Sequence, residues 1–287
     1  MNFSFEKKTN LRRKKFPLFN QIFEIMTKKR ILITNDDGIH APGIKHLWNS
    51  LKNDYEVTVV APHQEQSGVG VSVTIRHPLQ LNRLHWNGIQ AYSVTGTPAD
   101  CVKLALNVIL DERPHLIVSG INRGTNSGRN VLYSGTCGGV IEGTMRDIPG
   151  IAFSLSDYQD PKFESIERFI PPFLEFVFNK PLPPQTFLNV NFPSVIEGAP
   201  KGFKFARQGK EYWGESLDAR NHPTEGHTYY WIGARKVQFE ENEESDVSWL
   251  NKGYVAAVPV NVGDLTENNH LRTHKDLFEK HFECLNF

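Results

Sequence analysis

Several large function classes have signatures that this chain lacks. No apolar run approaches the ~20 residues that a bilayer-spanning helix needs, so no membrane segment is expected. Cysteine is scarce: Cys101, Cys137 and Cys284 are odd in number and far apart, which excludes a cysteine zinc cluster and fits a reducing, cytoplasmic compartment. Eleven histidines are scattered, with no H-E-x-x-H pair. There is no G-x-x-x-x-G-K-[ST] phosphate loop and no G-x-S-x-G nucleophile elbow, and Gly68-Val69-Gly70 lacks the remainder of a dinucleotide fingerprint. Neither sign of charge is in excess, since 32 Lys and Arg balance 32 Asp and Glu.

That balance hides an asymmetry. Residues 1–30 hold nine Lys and Arg against Glu6 and Glu24, so the remaining body carries a formal charge of −7. A mildly acidic body argues against a broad nucleic-acid footprint, and no nucleic-acid polymer is expected as a partner. The basic segment Lys7-Lys8 … Arg12-Arg13-Lys14-Lys15 lacks the apolar stretch of a secretory signal. It reads as an arm for an acidic partner or, the reading preferred here, as sequence ahead of a translation start at Met26.

What is present alternates strand and helix. Arg30–Thr34 reads as a strand, and Pro42 opens a helix to about Leu51, with Ile44, Leu47 and Leu51 at helical spacing. Residues 56–61 form a short buried strand closed by Pro62. Thr97-Pro98-Ala99-Asp100 reads as a helix start, with Thr as cap, Pro in the first turn and an acid three residues on. A strand at Leu116-Ile117-Val118 runs into a Gly/Asn-rich loop over 119–130. Further helices are expected near 138–146 and 163–178, and strands at 151–155 and 187–191. Such alternation implies βαβ units and an α/β fold with a mostly parallel sheet flanked by helices. Beyond about Lys201 strands are short and aromatics dense, with an acidic loop over 240–246. That region reads as a β-rich excursion on the sheet or as an interface arm.

Asn35-Asp36-Asp37-Gly38 sits directly behind the run Ile31-Leu32-Ile33. Neighbours within a strand point to opposite faces, so Asp36 and Asp37 can converge only where the strand has ended, and Gly38 frees the backbone to turn. Two adjacent carboxylates resist ionising together unless a cation lies between them. A divalent-metal site and a plain turn with solvated acids both remain open on these residues.

Three further loops follow strands and should open on the same crevice at the carboxyl edge of the sheet. In Ser119-Gly120-Ile121-Asn122-Arg123-Gly124-Thr125-Asn126, the side chains of Asn122 and Asn126 suit a metal ligand, a phosphate donor or an Asx turn. Tyr133-Ser134-Gly135-Thr136 precedes a helix and offers either phosphate-receptive amides and hydroxyls or ordinary capping. Gln66-Ser67-Gly68 supplies a hydroxyl, as a ligand or as a turn serine. Oxygen-only donors fit Mg²⁺ or Mn²⁺ better than Zn²⁺. A phospho-receiver module also places an acidic pair behind its first strand, but it needs an acceptor Asp where this chain has Ser-Gly-Ile-Asn.

In this order, the segments ILITNDDGIHAPGI, VVAPHQEQSG, VTGTPADCVKLAL, LIVSGINRGTN and NVLYSGT resemble the stationary-phase survival protein SurE family of metal-dependent nucleotidases. Later echoes are Tyr229-Tyr230-Trp231-Ile232-Gly233 and Gly253-Tyr254-Val255. The resemblance implies a Rossmann-like core over 26–200, behind a basic extension over 1–25. It also implies a β-rich C-terminal extension over 201–287, with an oligomerisation arm and a closing helix, in a homodimer or homotetramer. It places one divalent cation per subunit, Mg²⁺ or Mn²⁺, on Asp36, Asp37, Ser67 and Asn122, and phosphate on Asn126, Ser134, Gly135 and Thr136, with Asp36 and Asn126 as catalytic residues. The implied reaction is hydrolysis of nucleoside 5′-monophosphates to nucleoside and phosphate, with 3′-monophosphates and short polyphosphate as further substrates. Two stretches depart from the family pattern: Cys137-Gly138-Gly139 behind the SGT motif, and Asn221–His227 ahead of YYWIG. Cys137 is read as a small packed residue or a redox-sensitive thiol.

Overall fold

A computed structural model describes residues 28–86, 89–194, 199–237 and 239–283. The basic extension over 1–25, the Met26 start and Cys284 lie outside the described residues. The first strand, β1 (Arg30–Thr34), is buried on both faces: Ile31 and Ile33 pack on one side and Leu32 on the other. An unbroken apolar run is what two covered faces demand. Helix α1 (Pro42–Leu51) buries Ile44, Leu47 and Leu51 on the Ile31 side. Strand β2 (Glu56–Pro62) then runs parallel to β1.

The chain next makes an antiparallel pair absent from the sequence reading, β3 (Leu81–Trp86) and β4 (Ile89–Val94). The residues of β3 are half-buried or exposed, as an edge strand allows, while β4 buries Ala91, Ser93 and Val94 between β3 and β2. Thr97 caps α2 (Pro98–Leu104) through the expected box, accepting from the Asp100 amide at 3.2 Å while Asp100 Oδ2 accepts from the Thr97 amide at 3.0 Å. A π-helical turn over Ala105–Ile109 continues it.

Strand β5 (Leu116–Arg123) is longer than expected, because Ser119–Arg123 extends the strand instead of opening the loop. Helix α3 (Gly135–Thr144) starts about three residues earlier than expected, with Ser134 as its cap, so Gly135 and Thr136 lie in its first turn. After β6 (Gly150–Leu155) come two short 3₁₀ turns, Phe163–Ser165 and Glu167–Phe169, and then α4 (Ile170–Asn179). The single helix expected over 163–178 is broken because Pro171 and Pro172 have no N–H to donate and are tolerated only in a first turn. Strand β7 is Thr186–Phe192.

The sheet order is β3-β4-β2-β1-β5-β6-β7-β11-β8, where β8 is Phe203–Phe205 and β11 is Val255–Asn261. Strands β4, β2, β1, β5, β6 and β7 are parallel, while β3 and β11 run antiparallel to their neighbours β4 and β7. Helices α1 and α4 cover one face and α2 and α3 the other, a Rossmann-like arrangement whose order reverses between β1 and β5. Two strands beyond residue 201 therefore join the main sheet. The other two, β9 (Tyr212–Asn221) and β10 (Thr228–Val237), pair as a separate ribbon of ten-residue strands, not the short strands expected. Helices α5 (Asp246–Asn251) and α6 (Asn268–Glu283) complete the chain. Among the described residues no helix is long and apolar enough to cross a membrane.

Helix α1 meets β5 at Gly43, where an added Cβ would strike the Ile121 carbonyl, one residue before Asn122. Gly43→Ala is expected to destabilise the fold by about 1–3 kcal/mol through overpacking, read as a lower urea midpoint at unchanged slope.

Candidate active site

Strand β1 ends at Thr34, and the next three residues turn the two carboxylates to the sheet rim. Gly38 adopts φ +98°, Asn35 Nδ2 donates to the Gly38 carbonyl at 2.9 Å, and the Ile39 amide donates to Pro62 at 2.8 Å. This closes the turn against the end of β2. Asp36 is only 4% exposed, which removes the reading of a turn with solvated acids.

The Asp36 carboxylate faces the N-terminus of α3. Thr136 Oγ1 donates to Asp36 Oδ1 at 2.6 Å, and the backbone amide of Thr136 also favours the charged acid. Gly135 makes the approach possible, since a Cβ there would lie 2.7 Å from Asp36 Cβ and 3.0 Å from Asp36 Oδ2. Behind Thr136 stands Asn126, whose Nδ2 donates to Thr136 Oγ1 at 3.2 Å and to Ser154 Oγ at 2.8 Å. Both amide protons are thereby committed. Asn126 as placed orients Thr136, which in turn orients Asp36, instead of presenting a free donor to a phosphate. Ser134 accepts from the Cys137 amide at 3.0 Å and keeps its own hydroxyl proton.

Asp37 lies on the other side of the turn, where the Arg123 amide donates to its Oδ2 at 3.3 Å. Asn122, the preceding residue on β5, gives its Nδ2 to the Gly124 carbonyl at 2.7 Å, and no hydrogen bond among the described residues occupies its Oδ1. Ser67 joins less directly. Its neighbour Gln66 donates an amide to the Asp36 carbonyl at 2.7 Å, while the Ser67 hydroxyl turns to Glu65 Oε1 at 2.7 Å. The eight residues singled out in the sequence thus fall at the carboxyl rim of β1, β2 and β5 and the start of α3, where the sheet order reverses.

The electrostatics suit a cation. Burial, aided by the charge of Asp37 and opposed by the Thr136 hydroxyl, pushes Asp36 up to about 7. Burial pushes Asp37 up to about 6; the Arg123 amide opposes this and Glu65 adds to it. Carboxylates that are costly to ionise, next to the neutral oxygens of Asn122 and Ser67, form an all-oxygen donor set of the kind hard divalent ions take. Cys137 is fully buried, and burial pushes its thiol up to about 12, which fits the reading of a small packed residue.

Sequence reasoning missed the layer behind these groups. Asn191 Oδ1 accepts from the Asn126 amide at 2.8 Å and from Thr125 Oγ1 at 3.0 Å, and Asn189 Nδ2 donates to the Asn126 carbonyl at 3.0 Å. The signal was legible: asparagine at alternate positions of a fully buried strand marks one polar stripe. Asp246, buried near the C-terminus, takes amides from Gly128 at 3.0 Å and Gly209 at 2.8 Å, pinning the 126–130 loop to distant chain. No local pattern announces that contact.

With this geometry in view, comparison with known proteins is decisive. A family model described as "Survival protein SurE" matches residues 31–215, well over half of the chain. The chain belongs to the survival protein SurE family. A relative named 5′-nucleotidase SurE from Protochlamydia amoebophila is 51% identical over 255 residues, covering 88% of this chain and 98% of the relative. One of the same name from Thermosipho melanesiensis is 41% identical, covering 87% and 97%. The crystal structure of the SurE protein from Aquifex aeolicus superposes with a TM-score of 0.74 at 38% identity, covering 86% of this chain and 99% of that one. The SurE match spans every loop described above, from Asp36 to Thr136.

The raised carboxylates give a pH signature. A folded-state pKa above the unfolded value means that the fold binds more protons, so stability falls as pH rises from about 4 towards 7. In chelator-treated protein, urea unfolding of wild type relative to Asp36→Asn should therefore shift in favour of wild type as pH is lowered from 8 to 5. A pH-independent difference would contradict the buried, uncompensated acid.

Proposed function

We propose that this chain is a divalent-metal-dependent phosphomonoesterase that hydrolyses nucleoside 5′-monophosphates to nucleoside and phosphate. The observation that carries the reading is the Asn126–Thr136–Asp36 hydrogen-bonded relay at the carboxyl rim of β1. Near-complete coverage of relatives named 5′-nucleotidase SurE supports the substrate class. Nucleoside 3′-monophosphates and short polyphosphate are secondary substrates in this reading.

Asp36, Asp37, Ser67 and Asn122 would hold one Mg²⁺ or Mn²⁺ per subunit, which would polarise a phosphoryl oxygen and favour ionisation of a water nucleophile. The protein's own contribution is orientation. Thr136 and Asn126 fix the Asp36 carboxylate before substrate arrives, so no reorganisation is needed during the reaction. The first turn of α3, with Ser134, Gly135 and Thr136, directs its helix N-terminus at the same point and supplies partial positive charge where phosphate oxygens gather. Arg123, stacked on Tyr158 at 4.5 Å, adds a cation at the rim beside Asp37.

Phosphate release from nucleoside 5′-monophosphates should vanish with chelator and return with Mg²⁺ or Mn²⁺. Asp36→Asn should lower it at least ~10³-fold, corresponding to roughly 4 kcal/mol of barrier. A near-normal rate in that variant, or in chelator, would sink the ligand assignment.

The ribbon of β9 and β10 supports assembly. Tyr230 and Trp231 are each 63% exposed and Ile232 is 75% exposed, more apolar surface than one chain leaves uncovered without use. We infer a cytoplasmic homodimer or homotetramer built through this arm. Light scattering should give a multiple of the 32.7 kDa chain mass, and Trp231→Glu with Ile232→Glu should shift it to the monomer.

A further inference from the structure

The turn joining β9 to β10 lies beyond the residues matched by the family model, and the acidic site makes no use of it. Its sequence is His222-Pro223-Thr224-Glu225-Gly226-His227. Asn221 and Thr228 form the last register pair of the ribbon. Beyond them the His222 amide donates to the His227 carbonyl at 2.8 Å, and the Gly226 amide to the His222 carbonyl at 3.0 Å, with Gly226 at φ +74°. These bonds hold the two imidazoles face to face, with ring centroids 4.8 Å apart and planes 16° from parallel.

The turn then brings a carboxylate to the pair. Glu225 Oε2 lies 3.2 Å from His227 Nδ1, while the Glu225 amide donates to His222 Nδ1 at 3.1 Å. The Thr224 amide reaches the same His222 nitrogen at 3.4 Å. Both Nδ1 atoms therefore face Glu225. His222 Nδ1 accepts hydrogen bonds, so it carries a lone pair and no proton, the form in which histidine ligates a metal. One ligand atom from each of the three residues lies within 4.8 Å of the others, and theirs is the only such group of three among the described residues.

We propose that this turn is a second metal site, built by His222, Glu225 and His227 and selective for a borderline divalent ion of the zinc class. Two imidazoles and one carboxylate are the donor set that favours Zn²⁺ over Mg²⁺, and they leave a fourth tetrahedral position open to solvent. A metal here would replace the His227–Glu225 contact and the two long amide contacts to His222, and would lock the tip of the ribbon. The backbone already supplies the convergence, so only side chains, exposed at Glu225 and His227 and half-buried at His222, must move to shorten the ligand distances.

The test uses the full chain saturated with Mg²⁺, dialysed against micromolar Zn²⁺ buffered by a chelator. Wild type should retain one more zinc per chain than the His222→Ala/His227→Ala double variant, and Glu225→Gln should weaken that zinc by roughly tenfold or more. Co²⁺ should give wild type a tetrahedral visible band that the double variant lacks. His270 and His274, stacked one turn apart on α6, remain in every variant and cancel as background. Phosphate release with Mg²⁺ should be the same in all three proteins, which separates this site from the acidic one. Equal zinc content in wild type and the double variant, or undiminished affinity in Glu225→Gln, would overturn the proposal.

Discussion

A carboxylate that has been taken out of water governs the architecture around it. Asp36 sits at the buried end of β1, where its own desolvation and the charge of Asp37 both favour the neutral acid. Against this the fold sets the Thr136 hydroxyl and the N-terminus of α3. Those contacts are worth more at low dielectric than they would be at the surface, but they do not restore an ordinary acid. On the proposed reading, a cation at the rim would offset the remaining imbalance. A site fully satisfied by hydrogen bonds would have no use for one.

Bringing α3 this close has consequences for sequence. The helix is built from small residues because it presses on the strands and loops beneath it: a Cβ on Gly138 would meet the Gly70 carbonyl, one on Gly135 the Asp36 side chain, and one on Gly143 the Ile117 side chain. Glycines inside a helix cost stability relative to alanine, and here that cost is offset by close packing around the site. The partners behind Thr136 follow the same logic. Asn126, Ser154, Asn189 and Asn191 are buried polar groups, tolerated because they satisfy one another and leave Asp36 a single orientation. The C-terminal region holds the same loop from outside. The Gly128 amide reaches Asp246, the Arg129 amide reaches the Glu211 carbonyl, and Asn130 Oδ1 takes the Trp213 amide. Residues that end one loop of the site are thus fixed by chain roughly a hundred positions away, and the ribbon of β9 and β10 starts from that anchorage.

Legibility followed the range of the determining interaction. Strand β1, helix α1 and the Thr97 capping box were readable because period, proline placement and capping chemistry act within a few residues. The acidic pair was readable for a similar reason, since the alternation of a strand forbids convergence until it ends. Boundaries that depend on partners were missed. Strand β5 runs on to Arg123 because β6 takes up Asn122 and Arg123 beyond a bulge at Gly120-Ile121, after pairing with β1 has ended at Ser119, overriding the weak strand preference of those residues. Strands β3 and β4 lack an unbroken apolar run, and β3 exists as a strand only because it pairs with β4 at the edge of the sheet.

Local chemistry alone therefore set the order of strands and helices, the oxygen-rich character of the loops and the turn that presents Asp36 and Asp37. It could not set the contacts those loops make where they meet, nor how Asn126 is used. Both of its amide protons are consumed by Thr136 and Ser154 only because β6 and α3 converge on it. Long-range closure of the sheet made that decision: a buried donor takes whatever acceptor packing places within reach, and a linear chain does not specify that acceptor.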